Sequence, residues 1–162
     1  GFHPSEKMHY ILGVDFVAPT GRYKVGDSAN LGRNYWAIQP AAAFSYMQPS
    51  GINWDVKLMV DFNMRNSDTE TRTGKAIHAD YALGWGFGNG LVLGVGGYAY
   101  QQIERDHGPM AGDGKARSFA IGPSLRYAND KGLLITAKYQ QDLGVRGRPE
   151  GKQFFVKVAV PF

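Results

Sequence analysis

His78 and Asp80 lie two residues apart, the spacing that puts two side chains on one face of a strand. Set opposite a hydroxyl such as Ser118 or Ser124, they could act as base and orienting acid for a nucleophilic serine. A wet, polar interior would hold His and Ser in any case, so the expectation is not an enzyme. The stretch "DHGPMAGDG" gathers Asp106, His107 and Asp113, but glycine-rich acidic stretches ordinarily form turns. No metal-ligand spacing stands out, and neither a metal nor a cofactor is expected. A second group, Tyr98, Tyr100 and Gln102 followed by Glu104, forms one column of alternate residues. Rings on an otherwise polar face can stack a ring-shaped ligand, or simply fill space beside Gly84 and Gly86. A third group is charge: Asp61, Arg65, Asp80, Arg126, Lys138 and Asp142 share the polar face with Asp55 and Lys57. Such a face filters solutes if it lines a wide lumen, and plugs a narrow one by pairing with itself.

The elements that would position these groups read as strands throughout. Helical periodicity is nearly absent, and period-two alternation is everywhere. From Ile52 to Arg65, one face carries Ile52, Trp54, Val56, Leu58, Val60, Phe62 and Met64. The other carries Asn53, Asp55, Lys57, Asp61, Asn63 and Arg65, with Met59 the only apolar member. Similar stripes run over 8–18, 36–46, 77–87, 91–100, 118–127, 133–142 and 154–162. The connections alternate between long and short, from the long "PTGRYKVGDSANLGRN" to the tight "GNG" and "NDKG". These features predict one domain over residues 1–162. It would be an all-β, up-and-down antiparallel transmembrane β-barrel of about eight strands, long enough to cross a bilayer when tilted.

Composition sets bounds on partners. The 162 residues carry no cysteine, which excludes a disulfide scaffold and thiolate chemistry. The net charge is +4 and the mean hydropathy −0.32. Nothing approaches the roughly 18 apolar residues of a membrane helix. A soluble lipid-binding barrel has the same alternation with its apolar face inside. Strand length, aromatic residues at strand ends, and Gly84, Gly86, Gly94 and Gly96 on the polar face favour the membrane form. The last residues, "FFVKVAVPF", end an alternating strand on Phe162, which is expected at the inner interface. A terminal aromatic of this kind resembles the signal read by outer-membrane assembly machinery. The opening "GFHPSEKMHY" has no apolar leader segment, so an exported protein would carry this as a mature or trimmed chain. The long connections are basic. Arg22, Lys24, Arg72 and Lys75, with Arg105, Arg117, Arg146 and Arg148, are expected to contact outer-leaflet phosphates of lipopolysaccharide. Ordinary solvated loops would read the same way. Nucleic acid is not expected, because no compact recognition motif accompanies the charge.

Six stretches carry a family resemblance: "VAPTGRY" (17–23), "NLGRNYWAIQP" (30–40), "DFNMRNSDTETRTG" (61–74), "GGYAYQQIERD" (96–106), "IGPSLRY" (121–127) and "RPEGKQFFVKVAVPF" (148–162). Together they resemble the outer-membrane family named for the MetA-pathway of phenol degradation. The resemblance implies location in the bacterial outer membrane and passive uptake of small hydrophobic or aromatic compounds. On that reading the solute path runs past Tyr98, Tyr100, Gln102, His78, Asp80, Asp61, Arg65 and Arg126. The alternative function is a plugged structural or surface-interaction barrel without transport. Family members are longer at the N-terminus. The resemblance therefore implies either a smaller closed barrel or the C-terminal part of a barrel of about 12 strands.

Overall fold

The computed structural model describes residues 1–27, 30–112 and 114–161. Asp113, offered above with the acidic loop, and the terminal Phe162 lie outside the described residues. Eight strands follow one another: β1 (Met8–Val17), β2 (Ala37–Tyr46), β3 (Ser50–Asn63), β4 (Ala76–Phe87), β5 (Leu91–Gln102), β6 (Arg117–Ala128), β7 (Leu134–Arg146) and β8 (Lys152–Ala159). Each pairs antiparallel with its sequence neighbour, in the order β1 to β8. Short turns gather at one end of the sheet and long loops at the other. Chain reversal in the β4–β5 turn needs left-handed backbone at Gly88 and Gly90 (φ 80° and 84°), which glycine adopts without steric cost.

The sheet is built inside out relative to a soluble protein. Its outward face exposes Trp54 (43%), Leu58 (51%) and Trp85 (53%). Its inward face buries Asn53, Asp61, Gln102, Ser118 and Asp142. The buried apolar residues among those described are only Ala37, Met59, Ala76 and Ala120. A soluble barrel would bury the large apolar side chains and expose the charges. This chain does the reverse, which is stable only if lipid covers the apolar face.

Of the two forms offered above, the smaller barrel closed by these eight strands alone is not the one observed. Among the described residues β1 pairs only with β2 along its length, and β8 only with β7. The two end strands do not meet, and the sheet stays open. Both are exposed on both faces because no wall stands opposite them. Unpaired backbone groups cost several kcal/mol each in hydrocarbon, so an edge must find a partner. A small part of the β1 edge is covered by the N-terminal segment. Phe2 and Tyr10 exchange backbone hydrogen bonds, both of 2.8 Å. The middle strands curl into a trough, and side chains of β2 through β7 wall one common cavity on the inward face.

Candidate functional site

The inward face divides along the strands. Toward the loop end its polar groups bond to one another. Gln39 on β2 donates from Nε2 to Asp61 Oδ1 on β3 at 2.6 Å, and His78 Nε2 on β4 lies 3.1 Å from the same oxygen. Asp61 is buried, so these contacts offset the cost of holding its charge away from water. One strand further, the Tyr98 hydroxyl on β5 donates to Asp142 Oδ1 on β7. It also accepts from Ser118 Oγ on β6 at 3.1 Å. The other Asp142 oxygen accepts the Gly151 N–H at 2.9 Å, which ties the β7–β8 turn to the wall. That turn carries Arg148 inward, and its guanidinium sits 4.1 Å from the Tyr100 ring centre. The opposite neighbour of Tyr100 is His78, at 6.0 Å between rings. The result is a polar band across β2–β7 in which the Tyr100 face is covered by a cation.

Toward the turn end the inward face is open. A cavity of about 290 Å³ is lined by Asp55, Lys57, Asp80, Gly84, Arg126 and Lys138, among others. Few of these groups are tied. Lys57 reaches Asp15 at 3.9 Å across the small side chains of β2, and Arg126 lies 3.3 Å from Met47 Sδ. The glycines here are demanded by the strands more than by the lumen. A Cβ on Gly94 would collide with the Leu83 carbonyl of β4.

The sequence pairs His78 with Asp80, but the sheet sends them apart. His78 turns to Asp61, and Asp80 faces the turn-end cavity. Ser118 is held by Tyr98, and no hydrogen bond joins it to His78 among the described residues. Gln102 is buried and bonds Asp106 and the Ala116 N–H, so it anchors the β5–β6 loop. Arg65 lies beyond the end of β3 and pairs with Glu70 at 3.2 Å, outside the trough. The structure adds Gln39 and Asp142 to the site. In sequence both look like ordinary members of a polar face, and only strand pairing brings them to Asp61 and Tyr98.

The basic residues of the loop end also separate. Arg72 and Lys75 close on Glu104 at 2.7 and 3.6 Å, with His107 at 3.0 Å from the same carboxylate. Partial desolvation pushes the Glu104 carboxyl up, but Arg72, Lys75 and His107 outweigh it and hold the group below its ordinary value. Arg148 lies inside the trough and Lys24 beside Asp27, whereas Arg105, Arg117 and Arg146 converge on one outward pocket.

The family profile described as "Putative MetA-pathway of phenol degradation" matches residues 1–158. The chain belongs to that family. No protein with a curated description matches it. Among solved structures, the crystal structure of the COG4313 outer membrane channel from Pseudomonas putida F1 superposes with a TM-score of 0.73 at 21% identity. The match covers 93% of this chain and 60% of that one, so the chain spans about three fifths of the channel it resembles. Family, fold and the lipid-compatible outward face place the chain in the bacterial outer membrane.

Proposed function

We propose that the chain forms most of the wall of a passive outer-membrane channel that admits small hydrophobic or aromatic solutes. The observation that carries this reading is Tyr100, a ring presented to a polar trough with the Arg148 guanidinium over its face. Tyr100 is half-buried, and a guanidinium over such a ring is held by about 1–2 kcal/mol, which an aromatic solute stacking on the same face can offset. Once past it, the solute enters the wider turn-end cavity among Asp55, Lys57, Asp80 and Arg126. Selection is by ring stacking and by the cost of desolvating polar groups. Strands from outside this sequence, lying between β1 and β8, would complete the wall and satisfy both edges. The C-terminal strand would be the segment that assembly machinery engages.

A second reading, a plugged barrel with a structural or surface role, is favoured by the Gln39–Asp61–His78 and Tyr98–Asp142–Gly151 bonds. These groups consume one another's hydrogen-bonding capacity and narrow the loop end. Liposome flux separates the two. A channel passes a phenol-like solute faster than a glucose-sized polar one, and Tyr100→Ala reduces that preference. Flux of both solutes at the empty-vesicle leak would leave the plugged barrel.

A further inference from the structure

The β6–β7 ladder contains one irregularity. Phe119 pairs with Leu143, yet Arg117 pairs with Arg146, so β7 holds one more residue than β6 over that interval. The extra residue is accommodated beside Gly144, whose φ is +60°. A bulge resets which face the following side chains occupy. Without it Arg117 would stand opposite Val145, and Arg146 would share the inward parity of Asp142 and Gly144. With it, Arg146 joins Arg117 on the outward face, directly across the ladder. Two like charges set opposite each other are destabilising, so a fold that builds such a pair invites an anion between them.

Two more cations complete the setting. Arg105 and Lys115, from the β5–β6 loop, line the same pocket of about 260 Å³ as Arg117 and Arg146. Gly114 lies beside the Arg146 guanidinium in the same pocket. Lys115 donates one hydrogen bond to the Ile103 carbonyl, which fixes its direction. Directly below, toward the middle of the strands, lies a groove of about 560 Å³ whose lining carries the outward residues Ile77, Ala79, Ala99, Phe119 and Leu143 and, between them in sequence, also includes His78, Tyr100, Ser118 and Gly144. Gln101 and Arg117 line both the pocket and the groove. The small side chains of Ala79 and Ala99 form the groove floor, with Phe119 and Leu143 as one bank.

From this arrangement we infer that the outward face of β4–β7 holds one lipopolysaccharide molecule, its phosphate among Arg105, Lys115, Arg117 and Arg146 and an acyl chain in the groove below. Guanidinium forks match phosphate geometry in two-point contacts. The vertical order is that of an outer-leaflet lipid, charge at the headgroup level and apolar surface beneath it. An inorganic phosphate would use the cations and leave the groove unused, so charge and groove together point to the lipid. The inference is independent of what the channel carries.

The test uses the protein extracted in mild detergent from its outer membrane, with titration of bisphosphorylated lipid A followed by native mass spectrometry. The wild-type protein is expected to bind it, and Arg117→Ala with Arg146→Ala to weaken binding by about tenfold per arginine removed. Arg117→Lys with Arg146→Lys is expected to fall between, because charge is kept and the fork is lost. Heat-modified gel mobility confirms that each variant is folded, and the lysine pair carries the test if the alanine pair does not assemble. Dephosphorylated lipid A should bind far more weakly than the bisphosphorylated form. Equal binding by wild type and the variants, equal binding of the two lipids, or inorganic phosphate binding as tightly as lipid A would each overturn the inference.

Discussion

The two halves of the inward face are made of the same residue types and behave differently. At the loop end, Asp61, His78, Tyr98, Ser118 and Asp142 are joined by hydrogen bonds that cross from strand to strand. At the turn end, Asp55, Asp80 and Lys138 line a cavity without a side-chain hydrogen bond or ion pair among the described residues. Buried polar groups must be paired, and groups that face water need not be. The loop end is therefore a bonded polar cluster and the turn end an open cavity with few paired groups. Composition alone does not mark the difference. What marks it is which side chains face each other after pairing, and how deeply the loops fold in above them.

The comparison presupposes that the trough is wet and the other face lies in lipid, and the largest effect is expected from breaking that arrangement. Leu58→Arg places a charge near the middle of the outward face and should cost about 2–4 kcal/mol, which blocks assembly into vesicles. Asp55→Arg, on the inward face, should fold in comparable yield, and equal failure of both would reverse the assignment of faces. Next is the contrast between the halves themselves. Asp142→Ala strips the acceptor from Tyr98 and Gly151 and should cost about 1–3 kcal/mol in urea unfolding from vesicles. Asp80→Ala, in the open cavity, should stay within about 0.5 kcal/mol of the parent. Similar costs at the two sites would erase the distinction.

Removing the cover over Tyr100 should have a smaller effect. Arg148→Ala is expected to raise the flux of a phenol-like solute by about two- to fivefold, with little change for Arg126→Ala. The smallest effect concerns the loops above the bonded cluster. Glu104 has a lowered pKa in the folded protein. Its contribution is therefore complete above the ordinary carboxylate range and is lost as pH falls through that range and below it. Proteolytic nicking of the loops after β3 and β5 should be unchanged between about pH 7 and pH 6 and should rise at about pH 3. Glu104→Gln should already show the loosened loops at neutral pH.

Much of this was legible in the chain. A side-chain period of two, sustained over "INWDVKLMVDFNMR", admits only a strand with one apolar face. The long and short connections gave the up-and-down order, and all eight strands begin or end within a few residues of the sequence stripes. A period of two is identical in soluble and membrane barrels, so the assignment of the apolar face to lipid rested on strand length, the aromatic strand ends and the polar-face glycines. The exposed Leu58 beside the buried Asp61 agrees with that assignment. The site was legible only as a list of polar residues. His78 seemed matched to Asp80 because both lie on one strand, but residues two apart on a strand are about 7 Å apart, while a neighbouring strand lies about 4.8 Å away. The residue directly across from His78 is Met59, which offers no polar partner, and the ring reaches along the diagonal of the β3–β4 ladder to Asp61 at 3.1 Å.

By itself, then, the sequence determined the strands, their faces and their order, because these follow from local alternation and loop length. Only the tertiary structure decided that Tyr98 bonds Asp142, that Arg148 turns inward over Tyr100, and that a bulge at Gly144 brings Arg146 beside Arg117. Each of these depends on register between strands and on the curl of the sheet. A single-residue change in pairing alters them all while leaving the alternation within each strand untouched.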